Sequence, residues 1–487
     1  MSNNSREAPE LTAASGDGGG LSEKLLNLRR LQSKMERSPY DYMSELFDIQ
    51  SEFNSSLQLF YQHAAIKILP IDRDLVNVAS DPISLAENLA ETASFLGRVA
   101  IYYPERFALN DFPSRLFHLL CNSCRQIPSN PRFKLAHALT LVFRSVCIDQ
   151  SLSLFMELQT LGDEKLTKLA SNHIFQSIWD IRPNQHRTRK LQTLMFNMLL
   201  EAKDAVAMRV LVILWKLYKR EVWFDEKTAN AICTASFHET LGIMTVALSS
   251  LLKNKEPMIE NDKDHYDSDS GVDSPLNHLT DKQSFAERLF SRLQHFKEGS
   301  EVKMMMLKLI ARVIGLHQLT LLDFYPFVRK YIQPHQPDII NLLPAVVQAC
   351  HDKVPCDVVK PLLIQIVNQF VNDRSRPEAI TIGLNAVREI CIRMPMLMND
   401  DLLQDLDLYE KSHEKANSVA VRSLITLFQE FCPFDSKAKA TPKAYEGVDF
   451  ATDVLGDELL TDHDEEDDND QEDDQMTIDD ESLGTES

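Results

Sequence analysis

The chain has 487 residues, 44% of them hydrophobic and 25% charged, which excludes wholesale disorder and sets a length expectation of about three domains or one elongated array. Its formal charge of −21 is concentrated, because residues 446–487 hold 19 Asp or Glu and no Lys or Arg, leaving a body of net charge −2. Only seven of the 14 glycines fall within residues 21–443, far below the usual share of about 7%; folds that need glycine for phosphate loops, tight turns and bulges are poorly compatible with such a body.

Residues 1–21, with Gly16 and Gly18–Gly20 among Ser, Asn and Thr, read as a flexible, disordered leader. Met1–Glu10 is polar and lacks the apolar core of a signal peptide. The longest apolar run, near Val210–Trp215, is far short of the ~20 residues that span a bilayer. Eight scattered cysteines point to a reducing compartment rather than to a disulfide framework. The expectation is a soluble intracellular protein.

Residues 22–253 form the first helical block. The runs Ala136–Val146, Leu191–Leu200 and Ala205–Tyr218 are apolar, of helix length, and separated by short polar turns. Cys121 and Cys124 have a metal-like spacing, but zinc needs four ligands and no second pair follows. Their i, i+3 spacing after Leu116–Leu120 fits a buried helical stripe instead. His137, His173 and His317 sit in apolar helical context with no partner pattern for catalysis, so they read as structural. His186–Lys190 opens one helix, while Lys216, Lys219 and Arg220 close the next. Arg187, Arg189, Lys190, Lys216, Lys219 and Arg220 are candidate RNA or partner contacts, because clustered cations neutralise and position phosphates. The same residues also fit a solvated surface with cations at helix C-termini.

Residues 254–281 are read as an acidic disordered linker. Seven acidic residues stand between Glu256 and Asp273 against Lys263 alone, and so little apolar surface cannot offset the entropy of ordering. Ser268, Ser270 and Ser274 lie beside acids and are candidate phosphorylation sites. Asp269–Ser274 also resembles the D-S-G-x-x-S degron read by ubiquitin-ligase adaptors.

The second block, residues 282–433, shows its architecture best. Arg329 and Lys330 lie in the aromatic stretch Phe324–Tyr331 and are further candidate contacts, with the aromatics themselves read as core. Apolar helices are predicted to start near Asp338 and Asp357. Ser375–Glu378 reads as a capping box with Pro377 in the first turn, opening a helix that Pro395 stops. Ile380, Leu384, Val387 and Cys391 form its apolar stripe. Asn399 caps the next helix, whose first turn takes Asp400 and Asp401 and whose stripe is Leu402, Leu406 and Tyr409. The last starts near Ser418 and carries Val421, Leu424, Phe428 and Phe431.

These starts are 18 to 24 residues apart, so helix pairs repeat every 38 to 42 residues, at the short edge of the HEAT and armadillo range of about 40–47. Repeats of this kind bury one face each, and stacking them makes a continuous core and a long concave surface. The predicted fold is therefore all-α, a HEAT/armadillo-like α-solenoid in two blocks, with a compact helical bundle as the alternative. Residues 434–487 are expected to be a disordered acidic tail, which resembles those of histone-, ribosome- and nucleic-acid-associated proteins and serves equally as a solubility device.

No phosphate-binding loop, dinucleotide fingerprint, H-E-x-x-H or G-x-S-x-G occurs in the sequence. The expectation is a non-enzyme without cofactor, metal, membrane or small-molecule substrate.

Several ordered stretches carry a resemblance to a known family. They are Asn184–Leu199, residues 217–239, residues 301–336, residues 349–363, residues 383–391 and residues 402–428, with weaker similarity from about Leu25. Together they resemble the severe-depolymerization-of-actin (SDA) family, helical-repeat proteins of large-ribosomal-subunit assembly. The resemblance implies a nuclear and nucleolar scaffold on precursors of that subunit, needed for their maturation and export, whose partners are assembly factors, ribosomal proteins and pre-rRNA. It also implies a link to actin organisation. Related proteins continue into a longer lysine-rich C-terminal region, where this chain shows only Lys437, Lys439 and Lys443 before its acidic tail, and no Lys/Arg run makes an import signal by itself. A helical-repeat adaptor for protein transport or the cytoskeleton is the alternative, since a solenoid supports either role.

Overall fold

Apolar residues at helical spacing fold into helices throughout the computed structural model, which describes residues 19–68, 82–105, 111–143, 148–254, 273–297, 299–336, 338–372, 375–397, 419 and 421–426. The chain divides into two units, Met1–Thr280 and Asp281–Ser487. The first contains α1 (Gly19–Arg37), α2 (Met43–Ile68), α3 (Pro82–Val99), α4 (Phe112–Ser123), α5 (Ser129–Val142), α6 (Ile148–Leu158), α7 (Glu164–Ile181), α8 (Gln185–Glu201), α9 (Asp204–Lys219), α10 (Glu226–Thr234) and α11 (Leu241–Lys253). The second contains α12 (Lys282–His295), α13 (Ser300–His317), α14 (Phe324–Arg329), α15 (Ile339–Ala349), α16 (Cys356–Phe370) and α17 (Pro377–Arg393). No strand occurs among the described residues, and none of their helices is long and apolar enough to cross a membrane.

Each unit packs its helices in the two-row manner of HEAT-like repeats. Within the second, α13 touches α15 and α15 touches α17, while α14 touches α16. The starts of α13, α15 and α17 at residues 300, 339 and 377 are 39 and 38 residues apart, so the predicted period is the spacing of one row. Within the first unit, α3 packs on α5, α5 on α7, α7 on α9 and α9 on α11. Helix α9 is buried along its middle, with Val210–Trp215, Leu217 and Tyr218 covered. Such a helix belongs inside a core rather than on its rim.

Polar side chains fix the ends and crossings. Asn184, Asp225 and Asp281 cap α8, α10 and α12, each accepting a backbone N–H three residues on, at 3.1, 2.8 and 2.9 Å. Arg132 on α5 pairs at 2.5 Å with Asp163, which precedes α7, and Lys134 pairs with Glu91 on α3.

Several details differ from the sequence-based expectations. Helix α1 starts at Gly19, inside the stretch read as leader. The residue flanking α17 is Arg376 without a side-chain cap, and the Ser375 hydroxyl instead donates at 3.5 Å to the Gln369 carbonyl, so the capping box does not form. Pro377 opens the helix, and Ile380, Leu384, Val387 and Cys391 are all buried as expected. The acidic segment is not uniform to its end. Residues 275–278 make a 3-10 turn that packs on α10, with Leu276 fully buried. Tyr218 Oη lies 2.6 Å from His278 Nδ1, and Asn230 donates at 2.6 Å to the Thr280 hydroxyl. Apolar side chains at Pro275, Leu276 and Leu279 supply burial that the acids upstream lack. The helix expected from Asn399 and the residues Phe428 and Phe431 lie outside the described residues. Val421 and Leu424 are buried on the helical stretch 421–426.

Candidate functional site

The basic residues singled out from the sequence fall into separate environments. On α8, Asn184 holds the first turn by accepting the Arg187 N–H. Arg187 and Lys190, three residues apart, turn toward Asp149 at the start of α6, at 3.7 and 3.6 Å. Their charge is partly met inside the protein. Arg189 faces the other way, into a cleft of about 390 Å³ between α8 and α10. Gln192, Phe196 and Leu200 continue its wall from α8, while Lys227, Asn230 and Thr234 form the opposite wall. Gln192 secures the floor by donating at 2.8 Å to Asp225 and at 3.3 Å to Thr228. The cleft therefore pairs two cations with an apolar end at Leu199 and Leu200.

Lys216 and Lys219 are half-buried in the last turn of α9, where the carbonyl end of the helix favours cations. Arg220 follows them and is exposed, its guanidinium 4.7 Å from the ring centroid of Phe175 on α7. One turn along α7, Trp179 stacks on Phe175 with ring centroids 6.3 Å apart and planes 25° from parallel. Arg182 covers Trp179 at 4.6 Å. Phe175, Trp179, Arg182 and Lys227 were not singled out in the sequence. Their signal is aromatic residues at i and i+4 followed by a cation, a stripe that periodicity reads as core.

Arg329 and Lys330 lie in the second unit, at the end of α14. Both are exposed, with Lys330 Nζ 5.7 Å from the Phe327 centroid. Phe324 and Tyr325 are fully buried, and Tyr325 donates at 2.6 Å to the Ala349 carbonyl. These two aromatics are core, as expected. Ser274 is buried at 6% exposure, and its hydroxyl accepts the Leu276 N–H at 3.4 Å. Ser268 and Ser270 lie outside the described residues.

Chemistry-bearing side chains elsewhere are held in unreactive forms. Cys124 is buried as the stripe predicts, but Cys121 is exposed, so only one of the pair packs in the core. Desolvation and the nearby Glu157 charge raise both thiols, which keeps them protonated. His173 sits 4.5 Å from the Phe155 ring, and burial pushes its imidazole down to about 4. His137 is lowered by burial and by the nearby Arg98 charge. Among the described residues no group of His, Cys, Asp and Glu could hold a metal ion.

Two-row helical repeats define a helical-repeat protein, with cations paired or stacked on its surface. The profile of the SDA1, HEAT repeat family matches residues 95–275 and 272–413. The chain is 33% identical over 484 residues to the SDA1 homolog of Nematostella vectensis, with 89% of this chain and 68% of that protein covered. It is 30% identical to the homolog of Drosophila melanogaster, covering 89% and 66%, and 30% identical to that of Xenopus tropicalis, covering 91% and 70%. The chain belongs to the SDA1 family. It spans about two thirds of the length of these relatives.

Proposed function

We propose that this protein is a non-enzymatic ribosome-assembly factor that acts as a scaffold on precursors of the large ribosomal subunit, in the nucleolus and nucleus, and is required for their maturation and export. The observation that carries the reading is the family match across residues 95–275 and 272–413. Repeated helices provide surface without a reaction centre, as a scaffold requires. Partly paired and stacked cations, on a body close to neutral, suit mixed contacts with pre-rRNA, ribosomal proteins and assembly factors better than RNA alone. The actin link draws no support from these observations.

Sedimentation of the tagged chain from a nuclear extract, with the RNA of its fractions sequenced, tests the proposal. Co-migration with large-subunit precursor rRNA is the expected result. A light, RNA-free peak whose protein partners resist nuclease would replace the proposal with the transport or cytoskeletal adaptor.

A further inference from the structure

The chain has three tryptophans, and they divide sharply by environment. Trp215 and Trp223 are 0% and 3% exposed, whereas Trp179 is 44% exposed. An indole left in water at the end of α7 is therefore the exception. It is not isolated either. Phe175 stacks beside it one turn back, Arg182 covers it, and Arg220 arrives from the end of α9 to cover Phe175. The order is cation, ring, ring, cation.

Arg182 and Arg220 differ from the neighbouring Arg187 and Lys190. Arg187 and Lys190 share Asp149, but among the described residues neither Arg182 nor Arg220 has a carboxylate partner. Asp180, two residues before Arg182, accepts a hydrogen bond from Gln176 at 2.9 Å, and Glu221, which follows Arg220, forms no salt bridge with it. A guanidinium drawn to a ring face remains charged and keeps N–H donors in a planar fork that suits phosphate. The cluster thus offers flat aromatic surface between two uncompensated positive charges.

We propose that Phe175, Trp179, Arg182 and Arg220 form a stacking site for an unpaired nucleotide of RNA, with the rings taking the base and the guanidinium groups the flanking phosphates. This deepens the ribosome-assembly reading and rests on it. Every base has a π-face, so an exposed aromatic accepts any of them once the base is out of a helix. Paired bases have their faces covered by neighbours, so the site selects single strands over duplex.

Tryptophan fluorescence of the full chain tests the site directly, because the buried Trp215 and Trp223 are screened from added RNA. Titration with a short single-stranded oligouridine is expected to quench the Trp179 part of the emission, while the same length of RNA duplex leaves it unchanged. Trp179→Ala is expected to raise the oligouridine Kd on the order of 10-fold with an unchanged salt slope, and Trp179→Phe to restore most of the affinity. Arg182→Gln with Arg220→Gln is expected to flatten the slope of log K against log salt by about 1.4, since each phosphate contact on a single strand contributes about 0.7. Emission from Trp215 and Trp223 reports the fold of every variant.

Absence of quenching, equal quenching by duplex, or an unchanged Kd for Trp179→Ala overturns the proposal. A wild-type chain that co-sediments with large-subunit precursors while failing these tests removes the stacking site and leaves the assembly reading standing. A wild-type chain that binds oligouridine but does not co-sediment does the reverse.

Discussion

A methyl group added at Gly315 would stand 2.1 Å from the carbonyl oxygen of Gln348, where α13 crosses α15. The obstacle is backbone, so two helices must move apart to relieve it. Gly315→Ala is therefore expected to destabilise the second unit by about 1–3 kcal/mol, as overpacking does elsewhere, read by denaturant unfolding and by lost amide protection in α13 and α15. Gly242→Ala gives the opposite sign. Nothing lies within 4 Å of its added carbon, and alanine in a helix is favoured over glycine by about 0.5–1 kcal/mol. His173 provides a test in pH. Burial holds its folded pKa near 4, below the ordinary 6.5, so the unfolded chain binds the extra proton and stability falls as pH drops from 6.5 toward 4. Between pH 7 and pH 5 the loss from this group is about 2 kcal/mol, and His173→Leu is expected to flatten that acid limb in unfolding midpoints. The glycine scarcity was legible at once, as was the structural character of His173. Trp179 was not, because helical periodicity finds stripes without saying which of them face water.

Helix ends separate what spacing predicts from what only packing decides. The starts of α15, α16 and α17 lie within one residue of the predicted 338, 357 and 376, since apolar stripes and proline positions define them locally. Ser375 failed as a cap because the helix begins at Pro377, which puts Arg376 rather than Ser375 in the capping position. The acidic segment shows the same limit on a larger scale. Averaged composition hid Pro275, Leu276 and Leu279, yet these residues dock on α10. Leu276→Ala is expected to cost about 2–4 kcal/mol in the local stability of this turn, read as faster limited proteolysis between residues 273 and 281 with α12–α17 unaffected.

At the scale of the whole chain, two readings were accessible from sequence: repeated helices, from a period of about 40 residues, and a body whose neutrality the acidic tail conceals. Removing residues 446–487 takes the formal charge from −21 to −2. The truncated chain is expected to bind oligouridine more tightly than the full chain at low salt and equally at high salt, because the difference is screened charge. Equal binding at every salt concentration would mean the tail does not shield the body. What composition and period could not supply was which surface cations stay uncompensated, since pairing with Asp149 or stacking on Phe175 depends on neighbours brought together by the fold. The docked turn at residues 273–279 has one more consequence. Ser274, the last serine of the degron-like Asp269–Ser274, is buried and already serves as a cap, so a kinase meets it only while the turn is open. Any modification of Ser274 would therefore require that local opening first, at a rate set by how often the turn unfolds.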